Sequence, residues 1–186
     1  MSKRIARLRL HELRSDLADY LRGTKVAQLE WIDEFFQCAG HNPDVLKTFV
    51  AFTEALGEAL PERLSEVVAL TVAGVMESDY ERNQHEQLCV AHGLAPEWIA
   101  AVNRLAPDKG VELTPAERAV QRYALAAVVR RGIDVQHEFE AMLDHISSPE
   151  AMAVTVLVGR HVCHALVVNT LRLRPPLPSI FDEEQR

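Results

Sequence analysis

The stretch "LPERLSEVVALTVAGVMESDYERNQHEQLCVAHGL", residues 60–94, predicts two consecutive helices. The first follows Pro61, and its apolar side chains recur so densely that the helix must be largely buried. The second is polar and ends near Gly93, a residue typical of helix ends. Glu66 lies inside the apolar run of the first helix. A carboxylate in such surroundings either points outward or is held by a partner.

The rest of the chain repeats this helical periodicity, and the alternating pattern of strands is almost absent. Helix starts are marked by a cap residue or a proline at Asn42–Pro43, at Thr114–Pro115 with Glu117, and at the Ser-Pro pair 148–149. The segment from 148 to 173 is apolar on most faces and is predicted to be the most buried helix. We therefore predict an all-α bundle of about seven or eight helices.

The 186 residues fit one domain without an internal linker. We expect residues 1–40 to form N-terminal amphipathic helices and residues 41–103 to form the core that carries the site. Residues 114–173 are expected to form the C-terminal helices. Residues 174–186 form a proline-stiffened tail that lies over the surface or reaches a partner chain.

The net charge of −7 makes the molecule repel a phosphate backbone, so a nucleic-acid partner is disfavoured. Basic residues are frequent in the first 25 positions, but leucines alternate with them, which favours a docking amphipathic helix. Arg160, His161 and other polar residues interrupt the longest apolar segment, so no membrane span is predicted. Three widely spaced cysteines indicate no disulfide framework. With no signal peptide recognised, we expect a cytoplasmic protein.

The second helix of the opening stretch places Glu81, His85 and Cys89 four residues apart, on one face. Such a face has two interpretations. It is either a solvated stripe with a cysteine used for packing, or the working face of an active site. The buried position predicted for Glu66 on the preceding helix favours the active site, because that carboxylate needs a partner.

A second group of polar residues, "GRHVCHAL" at 159–166, contains Arg160, His161, Cys163 and His164. The two histidines are three apart and can share a helix face. They could join Glu66 or His85 around zinc, but a metal site needs three or four convergent ligands, and no diagnostic third partner is present. We predict no metal site. Arg160 is suited to hold a substrate carboxylate through its bidentate guanidinium.

The opening stretch resembles the carboxymuconolactone decarboxylase and alkylhydroperoxidase D-like family. The resemblance rests on Pro-x-Arg-Leu-x-Glu at 61–66, the apolar helix, Tyr-Glu-x-x-x-His at 80–85 and the Gly-Leu end at 93–94. The helix "HNPDVLKTFVAFTEAL" upstream is also similar to the family's lead-in helix. The match is close over about 41–103. It implies the family's all-α fold and a homo-oligomer: a dimer, trimer or hexamer.

The resemblance also suggests roles for individual residues. In the peroxidase branch of the family, a Cys-x-x-Cys pair occupies the positions of Ser78 and Glu81, and a glutamate and a histidine form a proton relay at the positions of Glu66 and His85. Serine and glutamate cannot form the disulfide that the peroxidase cycle needs. The pairing of Tyr80 with Glu81 resembles the decarboxylase-like branch instead.

These observations predict a cofactor-independent decarboxylase, or a related lyase or hydrolase, acting on a small carboxylated or lactone substrate. Glu66, Glu81 and His85 are the candidate catalytic residues, with His85 as general acid or base. The candidate substrate-binding residues are Ser78, Tyr80, Cys89, Arg160 and His161. Two alternatives remain open: a non-catalytic helical oligomer of the same family, and a thiol-dependent redox protein using Cys89.

Overall fold

The computed structural model describes residues 5–23, 33–109 and 112–182. All regular structure in these residues is helical, which confirms the prediction of an all-α fold. The nine α-helices are α1 (Ser15–Gly23), α2 (Glu34–Ala39), α3 (Pro43–Ala59), α4 (Glu62–Val75), α5 (Asp79–Ala91), α6 (Pro96–Asn103), α7 (Pro115–Val129), α8 (Gln136–Leu143) and α9 (Ser148–Leu171). A short 3-10 turn at Leu10–Glu12 precedes α1.

Helix starts fall where the sequence predicts them. Thr114 accepts a hydrogen bond from the backbone N–H of Glu117, and the Glu117 side chain accepts one from the backbone of Thr114, so the two form a capping box for α7. Ser147 and Glu150 form the same reciprocal pair at the start of α9. Each pair satisfies backbone donors that have no partner within the helix.

Helix α4 lies at the centre of the bundle and packs against α5, α7 and α9. Val67, Val68, Leu70 and Val72 of α4 are fully buried. A helix enclosed in this way leaves little room for charge, and Glu66 is only 7% exposed. At this depth the Glu66 carboxylate needs a hydrogen-bond donor or a positive charge beside it, as expected from the sequence.

Helix α9 is 24 residues long and mostly apolar. Among the described helices it alone is long and apolar enough to cross a membrane, but half of its most apolar window is buried inside the protein. It packs against α3, α4, α7 and α8, as a core helix does. The prediction that 148–173 is the most buried helix is wrong: nine of the 24 residues of α9 are buried, against nine of the 14 residues of α4.

Helix boundaries differ from the predictions mainly near the N-terminus. Within the described residues 5–23, a 3-10 turn followed by α1, which begins at Ser15, takes the place of the single amphipathic helix expected in the first 25 residues. Of the later residues in the segment 1–40 that was expected to form N-terminal helices, 33–40 are described and contain α2, whereas 24–32 lie outside the described residues. Helix α3 continues past Gly57 to Ala59, because a single glycine weakens a helix without ending it.

The C-terminal tail lies along α5 and is fastened there by hydrogen bonds. Glu86 of α5, 1% exposed, accepts bonds from the Ser179 hydroxyl at 2.5 Å and the Ile180 backbone at 3.1 Å. Asn103 of α6 donates to the other oxygen of the same carboxylate at 2.8 Å. The Asn83 side chain donates to the Leu177 carbonyl at 3.1 Å. One buried glutamate thus ties the tail and α6 to the helix that carries His85.

We expect Glu86→Ala to lower the free energy of unfolding by about 2–4 kcal/mol, because three partly buried donors lose their acceptor. Urea denaturation measures this loss. The matched control is Glu58→Ala, at an exposed glutamate of α3, which should change stability by less than about 0.5 kcal/mol. Equal losses in the two variants would contradict the role given to Glu86.

Candidate active site

The centre of the candidate site is a contact between α4 and α5. The Nδ1 atom of His85 lies 2.8 Å from Oε2 of Glu66. A carboxylate only accepts hydrogen bonds, so Nδ1 of His85 carries the proton of this bond. The side chain of Glu66 is 9% exposed and that of His85 is 17% exposed. The two residues that the sequence proposed as a relay are brought together.

Burial of Glu66 and His85 and the contact between them shift the pKa of each residue in opposite directions. Burial lowers the pKa of His85, but the charge and hydrogen bond of Glu66, with the charge of Glu81, raise it above its ordinary value. Burial likewise raises the pKa of Glu66, and His85 brings it below the ordinary value of a glutamate. The pair therefore favours an imidazolium beside a carboxylate. The second ring nitrogen, Nε2, makes no hydrogen bond to any described residue.

Cys89 lies one turn after His85 and touches the same carboxylate, with Sγ 3.6 Å from Oε2 of Glu66. The thiol is fully buried. Burial and the neighbouring charge of Glu66 raise its pKa well above its ordinary value, so little thiolate forms at neutral pH. Cys89 thus adjoins the pair as a buried neutral thiol.

Glu81, one turn before His85, has a different set of partners. Its Oε1 atom lies 2.8 Å from Nδ1 of His164, 2.9 Å from Nδ1 of His161 and 3.3 Å from Nη1 of Arg160. All three partners come from α9. Glu81 does not hydrogen-bond to His85 or Glu66; with its three partners it forms a separate α5–α9 cluster.

Arg160 is held in place by several contacts. Its Nε donates to the hydroxyl of Thr53 at 3.0 Å, and its guanidinium carbon lies 4.8 Å from the ring centre of Phe49. Its Nη1 approaches Nδ1 of His161 at 3.0 Å. The side chain is 11% exposed. Nη2 makes no hydrogen bond to a described residue and is the atom that remains for a ligand.

The charges in this cluster determine its protonation. Burial raises the pKa of Glu81, but the hydrogen bonds and charges of His161 and His164 lower it far below its usual range. Burial and the Arg160 guanidinium lower the pKa of His161 to about 4. Burial also lowers the pKa of His164 despite its bond to Glu81. At neutral pH the α9 histidines are neutral donors to an ionised Glu81.

The two remaining candidates, Ser78 and Tyr80, make no side-chain hydrogen bond to the site residues described so far. Ser78 precedes α5, is 1% exposed, and its hydroxyl has no partner among the described residues. Tyr80 is 3% exposed, and its hydroxyl accepts a hydrogen bond from the backbone of Phe35 at 3.3 Å. Tyr80 packs in a second apolar cluster with α1, α2 and α3 residues. Its hydroxyl is used by α2, which favours a packing role.

A metal ion is the other group that such residues can hold. Glu81, His85 and His161 each offer one ligand atom, and these atoms lie within 4.8 Å of one another. Ligands of one ion at about 2.1 Å are about 3–3.5 Å apart, so this set would have to contract. Arg160 also places its positive charge against Glu81 and His161. The guanidinium already supplies the charge that a metal ion would bring.

The structure adds residues to the site for which the sequence predicts no role. His164, which the sequence pairs only with His161, donates to Glu81. Its spacing of three residues from His161 was the available signal. Thr53 and Phe49 of α3 position Arg160 across more than 100 residues of chain, and no local pattern in the sequence indicates that contact.

Comparison with known proteins supports the fold and the family. Residues 43–129 match the carboxymuconolactone decarboxylase family. No protein of curated function matches the chain in sequence. A peroxidase-related protein with an alkylhydroperoxidase AhpD core, from Ralstonia eutropha JMP134, is similar with a TM-score of 0.78 and 18% identity, over 94% of each chain.

Two further solved structures are similar. A debrominase variant in complex with 2,3,4-tribromopyrrole has a TM-score of 0.80 and 15% identity, over 94% of this chain and 92% of that chain. A protein from Agrobacterium tumefaciens, described by its resemblance to the antioxidant defence protein AhpD, has a TM-score of 0.66 and 19% identity, over 75% of this chain and 96% of that chain. At these identities the similarity establishes an AhpD-like fold, as predicted.

The three cysteines should differ sharply in reactivity. Cys163 is exposed, whereas Cys38 and Cys89 are buried with a raised pKa. We expect iodoacetamide to alkylate Cys163 in the native protein and the other two only after unfolding. Mass spectrometry of peptides measures this, with Cys163→Ser as the unreactive control. Rapid alkylation of native Cys89 would instead support a thiol-based activity.

Proposed function

We propose that the protein is a cofactor-independent enzyme of the carboxymuconolactone decarboxylase family, which residues 43–129 match. Its substrate would be a small carboxylated or lactone compound, and the reaction a decarboxylation or a related lyase or hydrolase step. The observation that carries the proposal is the 2.8 Å contact between Glu66 and His85, with Nε2 of His85 left without a described partner.

In this proposal His85 is the general acid. Glu66 holds Nδ1 and stabilises the imidazolium, so the proton that moves is the one on Nε2. A substrate losing CO₂ breaks its carbon–carbon bond, and the electron pair moves into a conjugated carbonyl. The resulting dienolate carbon then takes the Nε2 proton, and the neutral His85 regains a proton from solvent. The substrate's own carbonyl accepts the electrons, so the chemistry requires no cofactor.

Arg160 is the proposed anchor for a substrate carboxylate. Its Nη2 is the guanidinium nitrogen without a described partner, while Thr53, Glu81 and Phe49 fix the rest of the group. An arginine held in advance loses little conformational freedom when it binds an anion. The debrominase of similar fold is bound to a small ring compound, which is compatible with a small substrate here.

The two alternatives have less support. A thiol peroxidase needs a reactive cysteine and a resolving partner, but Ser78 and Glu81 stand where the family's peroxidase branch has its cysteine pair. Cys89 is buried, with a raised pKa. A non-catalytic oligomer would need no carboxylate–histidine contact in its core. Burying two carboxylates among histidines costs stability, and catalysis gives a reason for that cost.

We retain a homo-oligomer as part of the proposal, in a cytoplasmic setting and without nucleic-acid or membrane partners. Several large apolar side chains are exposed on α3 and α9, namely Val45, Phe52, Met152 and Leu166. Exposed apolar surface of this kind is typical of subunit contacts. Gel filtration should give a mass that is a multiple of the 20.9 kDa chain.

Screening small unsaturated lactones and keto acids that carry a carboxylate, by CO₂ release and by loss of the lactone, should identify a substrate. We expect His85→Ala to lower kcat on it by about 10²–10⁴-fold, because the transition state loses its proton donor. The matched control is His92→Ala: His92 is exposed and pairs with Glu62 outside this cluster. Full turnover by His85→Ala would contradict the proposed function.

The pH dependence follows from the same assignment. A general acid must be protonated, so His85 is in its active form below its pKa, and turnover falls as pH rises through that pKa. The raised pKa places this fall above 6.5, the ordinary value of a histidine. Glu66→Gln removes the charge that raises this pKa, so the alkaline fall should move to lower pH. If the alkaline fall in turnover stays at the same pH in Glu66→Gln, Glu66 does not control the protonation of His85.

A further inference from the structure

In the proposed function Arg160 holds the substrate carboxylate, but its neighbours Glu81, His161 and His164 in the α5–α9 cluster have no chemical task. Glu81 is fully buried, yet Glu81, Arg160, His161 and His164 place four ionisable groups side by side. Burying four ionisable groups lowers folding stability unless they are paired. If an apolar residue stood at position 81, the chain would have little structural need for the polar partners on α9. The cluster also touches the catalytic pair directly, because the rings of His85 and His161 pack edge to face with centroids 5.1 Å apart.

The two histidines have the same local construction. Nδ1 of His85 donates to Glu66 on α4, and Nδ1 of His161 donates to Glu81 on α5. In each ring the carboxylate fixes the tautomer, so Nε2 is the nitrogen that takes or gives a proton in catalysis. Two imidazoles oriented in this way, in ring contact with each other, can act on two atoms of one small substrate.

The two histidines differ in their charged neighbours. The groups that face His161 are Arg160 and His164 on α9, Glu81 and His85 on α5, and Glu66 on α4. Arg160 places Nη1 3.0 Å from Nδ1 of His161. Because Nδ1 gives its proton to Glu81 and a guanidinium only donates, this contact is a close approach of positive charge and not a hydrogen bond. Arg160 also lowers the pKa of His85, but no hydrogen bond joins the two residues, and the charge and hydrogen bond of Glu66 raise that pKa above its ordinary value. When the surroundings of two neighbouring titratable groups shift their pKa values apart, one group commonly acts as the acid and the other as the base.

We propose that His161 is a second catalytic residue, the general base that works opposite His85 as the acid, and that Arg160 keeps His161 in its neutral, basic form. This inference rests on the proposed function, and it changes His161 from a substrate contact to a proton acceptor. It extends the reaction class from decarboxylation to reactions that need a proton removed and another delivered.

Lactone hydrolysis illustrates the step. Nε2 of His161 takes a proton from water while the water oxygen forms a bond to the lactone carbonyl carbon. The ring carbon–oxygen bond then breaks, and the leaving oxygen takes the Nε2 proton of His85. His161 ends as the cation and His85 as the neutral ring, so charge is conserved. Exchange with solvent restores both.

The pKa shifts of the two histidines agree with His161 as the base and His85 as the acid. The pKa of His161 is lowered to about 4 by burial and by Arg160, whereas the pKa of His85 is raised. Both residues are therefore in the required state over a wide pH range around neutrality. Removing Arg160 leaves Glu81 beside His161, and the pKa of His161 should then rise.

The first test is an NMR titration of the full-length protein labelled with ¹⁵N-histidine, which needs no substrate. We expect His161 to stay neutral down to about pH 4 and His85 to stay protonated above pH 6.5. In Arg160→Met the titration of His161 should move up by at least about one pH unit. A His161 that titrates at or above the pH of His85, or that does not respond to Arg160→Met, would overturn the inference.

The second test uses the compound turned over in the screen. His161→Gln should lower kcat by about 10²-fold or more. In wild type, kcat should fall on the acid side as His161 is protonated, and Arg160→Met should move that fall to higher pH; His92→Ala is the control. If His85→Ala abolishes turnover but His161→Gln does not, this inference fails and the proposed function stands. If His85→Ala leaves turnover unchanged, the proposed function itself fails.

Discussion

Two carboxylates buried in a helical core, Glu66 and Glu81, dictate much of what surrounds them. A carboxylate in an apolar core needs hydrogen-bond donors or positive charge, and each of these two finds them on a neighbouring helix. Glu66 on α4 takes His85 from α5, and Glu81 on α5 takes His161, His164 and Arg160 from α9. The three central helices are thus joined by polar contacts as well as by apolar packing.

The same contacts define the chemistry. Each imidazole that faces a carboxylate has a fixed tautomer and one nitrogen left for proton transfer, and Arg160 makes the two sides unequal. The thiol of Cys89 lies against Glu66 but is buried, which favours proton transfer over redox chemistry. The tail fastened to Glu86 holds the outer face of α5, so the helix that carries both Glu81 and His85 is supported from two sides.

Local sequence signals predicted the helices and the pair of Glu66 and His85, but not the rest of the site. The cap at Thr114, the Ser-Pro start at 148–149 and the apolar run around Glu66 depend on neighbours in sequence and could be recognised there. The contact of Glu66 with His85 joins two consecutive helices, and the family resemblance indicated it. The partners of Glu81 lie about 80 residues away. Spacing within α5 therefore suggested a link between Glu81 and His85, whereas the packing of α9 decides where Glu81 bonds.

The central claim is that Glu66 holds a proton on Nδ1 of His85 and stabilises its cation. The ¹⁵N chemical shifts of the two ring nitrogens, followed with pH, report both properties directly. The account predicts that Nδ1 remains protonated across the titration and that the ring loses its Nε2 proton above pH 6.5. A neutral ring protonated on Nε2, or a titration below 6.5, would contradict it.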